Sequence, residues 1–139
     1  AELHAVTGVD HEEQAIAAVV THLARDVGLL VVAGQTSVMD EEDTTLRGLR
    51  RAGAEIVAAG APVEPGNHLA LAYLARPGSE GGGALPILCA PGCAKGTKRN
   101  VVDLILPRLL VGDRLRREDI AALGLGGFLT AAERGGDCA

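Results

Sequence analysis

Aromatic residues are nearly absent from this chain, since Tyr73 and Phe128 are the only two among 139 residues and tryptophan is missing. Proteins that bind single-stranded nucleic acid stack bases on aromatic side chains, and proteins that bind duplexes present a basic face. Here 18 Asp and Glu outweigh 13 Lys and Arg, which leaves a formal net charge of −5. The composition therefore argues against nucleic acid as the main partner.

Cysteine is also scarce, and its pattern excludes a disulfide framework. Cys89, Cys93 and Cys138 are an odd number and form no CxxC pair, which indicates reduced thiols in a cytoplasmic protein. Cys89 and Cys93 lie four residues apart, but no histidine accompanies them to complete a zinc site. Zinc binding is therefore only a minor alternative.

Long apolar runs and targeting signals are missing as well. No apolar stretch reaches the roughly 18 residues that cross a bilayer, and residues 1–10 have neither the basic region nor the apolar region of a signal peptide. We therefore expect no membrane partner and a cytoplasmic location. The chain does not start with methionine, which indicates a processed chain or part of a longer multidomain polypeptide.

What remains has the composition of one globular domain, with 47% hydrophobic and 22% charged residues. Apolar periodicity predicts strands and helices in alternation. The predicted strands are 2–6, 29–33, 55–59, 68–74 and 85–90, and the predicted helices are about 11–26, 43–53, 98–111 and 118–123. The 29–33 run is typical of a strand buried on both faces. This alternation predicts an α/β fold, a three-layer α/β/α sandwich with a mostly parallel sheet.

Ligands of open α/β sheets bind at the carboxyl ends of the strands, and three loops qualify there: 34–43, 62–67 and 91–100. The 34–43 loop contains four consecutive carboxylates that end at Asp43. Carboxylate oxygens suit Mg²⁺, so Asp40 and Asp43 are candidate metal ligands, while Thr36 and Ser37 offer hydroxyl groups to an anion. The alternative is a solvated acidic loop in which Asp43 caps the next helix.

The 91–100 loop carries the opposite charge. Lys95, Lys98 and Arg99 gather where a helix begins, and a helix N-terminus favours anions. The spacing differs from that of a Walker A loop, and no GxGxxG motif is present. The sequence thus predicts a phosphate site here, with ordinary surface charge as the alternative.

Taken together, the loop segments resemble the molybdopterin-binding domain of molybdenum cofactor biosynthesis. The residues that carry the resemblance are 31–43 (VVAGQTSVMDEED), 62–67 (PVEPGN) and 88–100 (LCAPGCAKGTKRN). The last segment, followed by 124–129 (GLGGFL), is most similar to the version fused to cytidylyltransferase-like domains. The resemblance covers roughly residues 8–129 and implies a domain over 1–129 that lacks the family's first β-α unit, with a flexible tail over 130–139.

The resemblance implies that the chain binds molybdopterin, a pterin dithiolene with a terminal phosphate, or its nucleotide derivative. Carried over by position, the residues that bind this ligand are Gly34, Thr36, Ser37, Pro65, Gly66, Pro91, Gly92, Lys95 and Lys98. Asp40 and Asp43 are implied as metal ligands and, in a catalytic version, as catalytic residues. A magnesium ion would accompany the ligand.

Three departures from the family pattern keep other functions open. Gln35 stands where the common pattern has glycine, Ala94 where many members have proline, and His11 where aspartate is frequent. The alternatives are a Mg-dependent molybdopterin adenylyltransferase or molybdotransferase in its own right, and a non-catalytic α/β scaffold for protein contacts. Related domains form trimers or dimers, so a homo-oligomer is compatible with the resemblance.

Overall fold

Helices and strands alternate along the chain. A computed structural model describes residues 1–34, 38, 40, 42–79 and 83–125. Its strands are β1 (Leu30–Ala33), β2 (Glu55–Ala59), β3 (Ala70–Ala75) and β4 (Ala84–Ala90). Its helices are α1 (Glu13–Leu23), α2 (Thr44–Arg51), α3 (Val101–Leu110) and α4 (Arg117–Ala121), with 3-10 turns at Gly92–Lys95 and Ala122–Gly124. The α/β class predicted from the sequence is therefore confirmed.

The four strands form a mixed sheet in the order β1-β4-β3-β2. β1 and β4 are parallel, whereas β4 with β3 and β3 with β2 are antiparallel. The prediction of a mostly parallel sheet is therefore wrong. The cause is the length of the two connections, 60–69 and 76–83, which are only ten and eight residues long. Short connections of this kind reverse the chain, whereas a parallel pair needs a crossover of a dozen or more residues.

Two groups of buried side chains lie on opposite faces of the sheet, because alternate residues of a strand point to opposite sides. On β3, Ala70, Ala72 and Leu74 belong to one group, and Leu71 and Tyr73 belong to the other. The first group includes Ile16, Val20, Leu46 and Leu49 from α1 and α2. The second includes Val101, Ile105, Leu109 and Ile120 from α3 and α4. Each face of the sheet is thus packed against two helices.

Two predictions about strands are wrong. Residues 2–6 form no strand, and all of residues 1–10 are exposed; an extended segment needs a neighbouring strand to satisfy its main-chain groups. β1 is not buried on both faces, since it is the last strand of the described sheet and the side chain of Val31 is 51% exposed. Among the described residues, no helix combines the length and apolar character that crossing a bilayer requires. The predicted tail, 130–139, lies outside the described residues.

Candidate functional site

β1 and β4 end side by side, and we call the position beyond their ends the crevice. The two strands are parallel neighbours, and Ala33 pairs with Ala90 at their last residues. The chain that leaves β1 enters α2, which packs on one face of the sheet, and the chain that leaves β4 enters α3, which packs on the other. Such a divergence between neighbouring parallel strands creates the crevice in which open α/β sheets bind ligands. The 34–43 and 91–100 loops therefore start side by side.

The third loop that the sequence singled out joins the same edge. β2 runs in the direction of β4, because two antiparallel pairings separate them, so the chain after β2 emerges beside the crevice. The main-chain N–H of Val101 donates a hydrogen bond of 3.1 Å to the carbonyl oxygen of Pro65. Gly66 is buried directly against Val101. Pro65 and Gly66 thus contact the start of α3.

The 34–43 loop supplies the acidic side of the crevice. Gly34 is exposed immediately after β1, and Thr36 and Ser37 lie outside the described residues. Asp40 Oδ1 accepts a hydrogen bond of 2.8 Å from the main-chain N–H of Glu42. Asp43 Oδ1 accepts one of the same length from the main-chain N–H of Thr45. The predicted helix cap at Asp43 is confirmed, and both carboxylates are held in place by main-chain donors.

These two carboxylates do not form a complete metal site by themselves. Within the described part of the chain, no group of three or more His, Cys, Asp or Glu side chains is arranged to hold a metal. Magnesium is commonly bound by one or two carboxylates, with substrate phosphate oxygens and water completing its shell. Asp40 and Asp43 match that donor set when a phosphate supplies the remaining oxygens.

The 91–100 loop supplies the basic side. Pro91 is buried, Gly92 opens a 3-10 turn that ends at Lys95, and Lys95 and Lys98 are exposed. These two are the only lysines in the chain. Of the site residues predicted from the sequence, the structure thus brings both lysines to the edge where Asp40 and Asp43 also lie.

A buried asparagine that sequence reasoning missed fixes the end of this loop. Asn100 is only 4% exposed, and its Oδ1 accepts a hydrogen bond of 2.9 Å from the main-chain N–H of Val102. The Asn100 N–H donates one of 2.8 Å to Asp103 Oδ2. This is a capping box. The sequence signal for this helix start is Asn100 followed three residues later by Asp103, at the beginning of an otherwise apolar stretch.

One relationship that the sequence did not reveal is electrostatic and links Asp43 to a residue of β4. Cys89 is buried near the end of β4, and burial raises the pKa of its thiol to about 12, with the Asp43 carboxylate adding to the rise. The electrostatic coupling indicates that Asp43, on the α2 side, lies close to β4. Cys93, four residues on, is exposed.

A separate depression of about 510 Å³ lies between α1 and α2. It is open to solvent and lined mainly by small or uncharged side chains. Its one charged residue, Arg51, forms an ion pair of 3.6 Å with Glu13. It lacks the convergent polar groups of a small-molecule site, and the crevice is the stronger candidate.

Comparisons of the chain with protein-family models, with curated proteins and with solved structures gave no match. The functional assignment therefore depends on the crevice and on the resemblance of its loops.

Proposed function

We propose that the chain binds molybdopterin or its nucleotide derivative in molybdenum cofactor biosynthesis, as a three-layer α/β/α domain of the molybdopterin-binding type. The ligand's phosphate is held between the 34–43 and 91–100 loops. The observation that supports this most is the divergence of α2 and α3 from the neighbouring parallel strands β1 and β4. It joins two loops of opposite charge at the position where such sheets bind ligands.

The charges on the two sides of the crevice match a phosphate accompanied by a divalent cation. Lys95 and Lys98 neutralise phosphate oxygens on one side, close to the start of α3. Asp40 and Asp43 hold magnesium on the other side. These carboxylates would hold the ion, and its positive charge would offset their repulsion with the phosphate.

The pterin is expected to lie against main-chain groups and small residues. Gly34, Gly92 and the Pro65–Gly66 turn border the crevice and carry little side-chain bulk. A planar ligand with many hydrogen-bonding groups can approach a backbone closely at such positions. The binding proposal thus gives each of the three loops a separate contact with the ligand.

The test is equilibrium binding of molybdopterin to the chain, with Lys98→Ala as the main variant. We expect saturable binding that Lys98→Ala weakens about tenfold or more, equivalent to about 1.4 kcal/mol. Arg25→Ala is the matched control, because Arg25 is an exposed cation before β1, at the opposite edge of the sheet. Absence of saturable binding, or equal effects of the two variants, would overturn the proposal.

The role of magnesium in ligand binding is tested separately with Asp43→Asn, which keeps the helix cap and removes the negative charge. We expect added Mg²⁺ to strengthen binding by the parent chain and to have no effect on Asp43→Asn. A transfer assay with Mg-ATP or molybdate then distinguishes a binding domain from an enzyme. Product formation by the chain alone would favour the transferase function over binding without chemistry.

A further inference from the structure

The two edges of the described sheet differ in how well they are protected. Exposed edge strands invite pairing with other chains, and proteins block them with charges and bulges. The β2 edge has both devices: it begins with the exposed Glu55, its register shifts between Ile56 and Ala58, and Arg117 lies beside it. β2 is thus an edge that resists pairing.

The β1 edge has neither device. β1 contains no charged residue, its pairing with β4 runs without a register shift, and it has a described neighbour on one side only. Val31 at its centre is 51% exposed although valine favours buried strands. The edge is therefore uncharged, regular and partly apolar, which are the properties of a strand that accepts another strand.

A candidate partner for this edge occurs in the same sequence. Residues 1–10 form no helix or strand, and the side chains of Leu3, Val6 and Val9 are 78%, 85% and 42% exposed. Polar and apolar residues alternate over 2–5, the first four residues of the predicted strand 2–6. At about 3.3 Å per residue, such a strand spans roughly 17 Å, enough to cover the roughly 13 Å of the four-residue β1.

We propose that residues 2–6 of one copy pair with the outer edge of β1 in a second copy, and that the exchange is reciprocal. A twofold dimer of this kind is closed, because each copy gives one strand and receives one. In the single chain the segment is exposed and does not pair with its own β1. Residues 7–12 connect it to α1, and Gly8 has open space around its Cβ position, so this connection can redirect the strand.

The exchange would stabilise both the β1 edge and the exposed apolar side chains. It supplies main-chain partners to the β1 edge, and it removes Leu3 or Val6, together with Val31, from water. A dimer formed by two β1 edges alone would leave residues 2–6 unused. The two arrangements therefore give different results when the segment is deleted.

The test is sedimentation velocity of the chain over a range of concentrations. We expect a species of twice the 14.2 kDa chain mass. Deletion of residues 1–8, and separately Val31→Lys, should each weaken the dimer at least about tenfold. Val111→Lys is the matched control, because Val111 is 84% exposed at the end of α3, and it should leave the dimer unchanged. Circular dichroism of each variant checks that it is folded.

Hydrogen exchange identifies the paired segments. We expect the alternate amides of residues 3–6 that face β1, and those amides of β1 that point away from β4, to be protected only at concentrations where the dimer forms. Three results would overturn the proposal. These are a monomer at every concentration, a dimer that survives the deletion, and protection of residues 3–6 in the monomer, which would mean pairing within one chain.

Discussion

The main-chain N–H of Val101, the first residue of α3, donates a hydrogen bond of 3.1 Å to the carbonyl oxygen of Pro65. The first turn of a helix has N–H groups without partners inside the helix, and here a distant turn provides one partner. The loop after β2 thereby positions the helix that follows β4. The arrangement of the crevice thus depends on how closely this turn approaches α3.

Gly66→Ala is expected to disrupt that approach. A Cβ at position 66 would lie 2.2 Å from Val101 Cγ1 and 2.9 Å from Val101 N, and Gly66 has a φ of +119°. We expect the free energy of unfolding to fall by about 2–5 kcal/mol, since the unfavourable φ contributes about 1–2 kcal/mol and the overpacking about 1–3 kcal/mol. Urea unfolding followed by circular dichroism measures the loss.

Gly78→Ala is the control for the backbone strain alone. Gly78 has a φ of +79° with no atom within 4 Å of its Cβ position, so it should cost only about 1–2 kcal/mol. Equal losses for the two variants would contradict a specific role for the contact with Val101.

The sequence predicted those features that depend on neighbouring residues. The positions of β1 to β4 and the cap at Asp43 follow from short apolar runs and from one side chain near its own helix. The glycine-rich composition of residues 76–83 predicts a hairpin connection, which the antiparallel pairing of β3 with β4 confirms. The turn residues 62–67 did not reveal that β2 and β3 are also antiparallel. Likewise, an apolar pattern in residues 2–6 does not reveal whether a neighbouring strand exists.

The loops of the candidate site were predictable from the sequence, but the interactions between them were not. Placing ligands at strand ends gave the three loops, since that rule needs only the strand positions. The hydrogen bond from Val101 to Pro65 and the electrostatic effect of Asp43 on Cys89 involve residues far apart in sequence, so they needed the structure.

Tyr73→Phe is expected to destabilise the connection before α4. The Tyr73 hydroxyl accepts a buried hydrogen bond of 2.9 Å from the main-chain N–H of Leu115, and a buried donor without an acceptor costs about 1–3 kcal/mol. Arg114→Ala is the control, because it keeps the Tyr73 hydroxyl and removes only a guanidinium 4.7 Å from the centre of the ring. Since Arg114 is exposed, its loss should cost at most about 1 kcal/mol. Thermal unfolding compares them, and a smaller effect for Tyr73→Phe would argue against the hydrogen bond.

Two substitutions at Asp43 separate its role as a cap from its charge. Asp43→Ala removes the acceptor for the Thr45 N–H and should lower the free energy of unfolding by about 1 kcal/mol. Asp43→Asn keeps an acceptor and should cost only a few tenths of that. Urea unfolding in the absence of ligand is the measurement. If both variants lose the same amount, the hydrogen bond to Thr45 is not what stabilises α2.

The two described cysteines should differ in reactivity. Only a thiolate is an effective nucleophile, and Cys89 is buried with a pKa raised to about 12, first by burial and then by Asp43. In a Cys138→Ser background, iodoacetamide near neutral pH should modify the exposed Cys93 and leave Cys89 intact until the protein unfolds. Peptide mass spectrometry locates the label, and rapid modification of native Cys89 would contradict its burial.

The same shift predicts a loss of stability at alkaline pH. The unfolded thiol ionises near its ordinary pKa of 9.0, whereas the folded thiol stays protonated until about pH 12. Between those values the unfolded state binds fewer protons, so the free energy of unfolding falls as the pH rises. Urea unfolding below and above pH 9 measures the slope. Cys89→Ala should flatten the dependence of the unfolding free energy on pH, and the control Cys93→Ala, which leaves Cys89 in place, should preserve it. An unchanged slope in Cys89→Ala would assign the alkaline loss to another group. Tyr73 is such a group, because burial also raises its pKa.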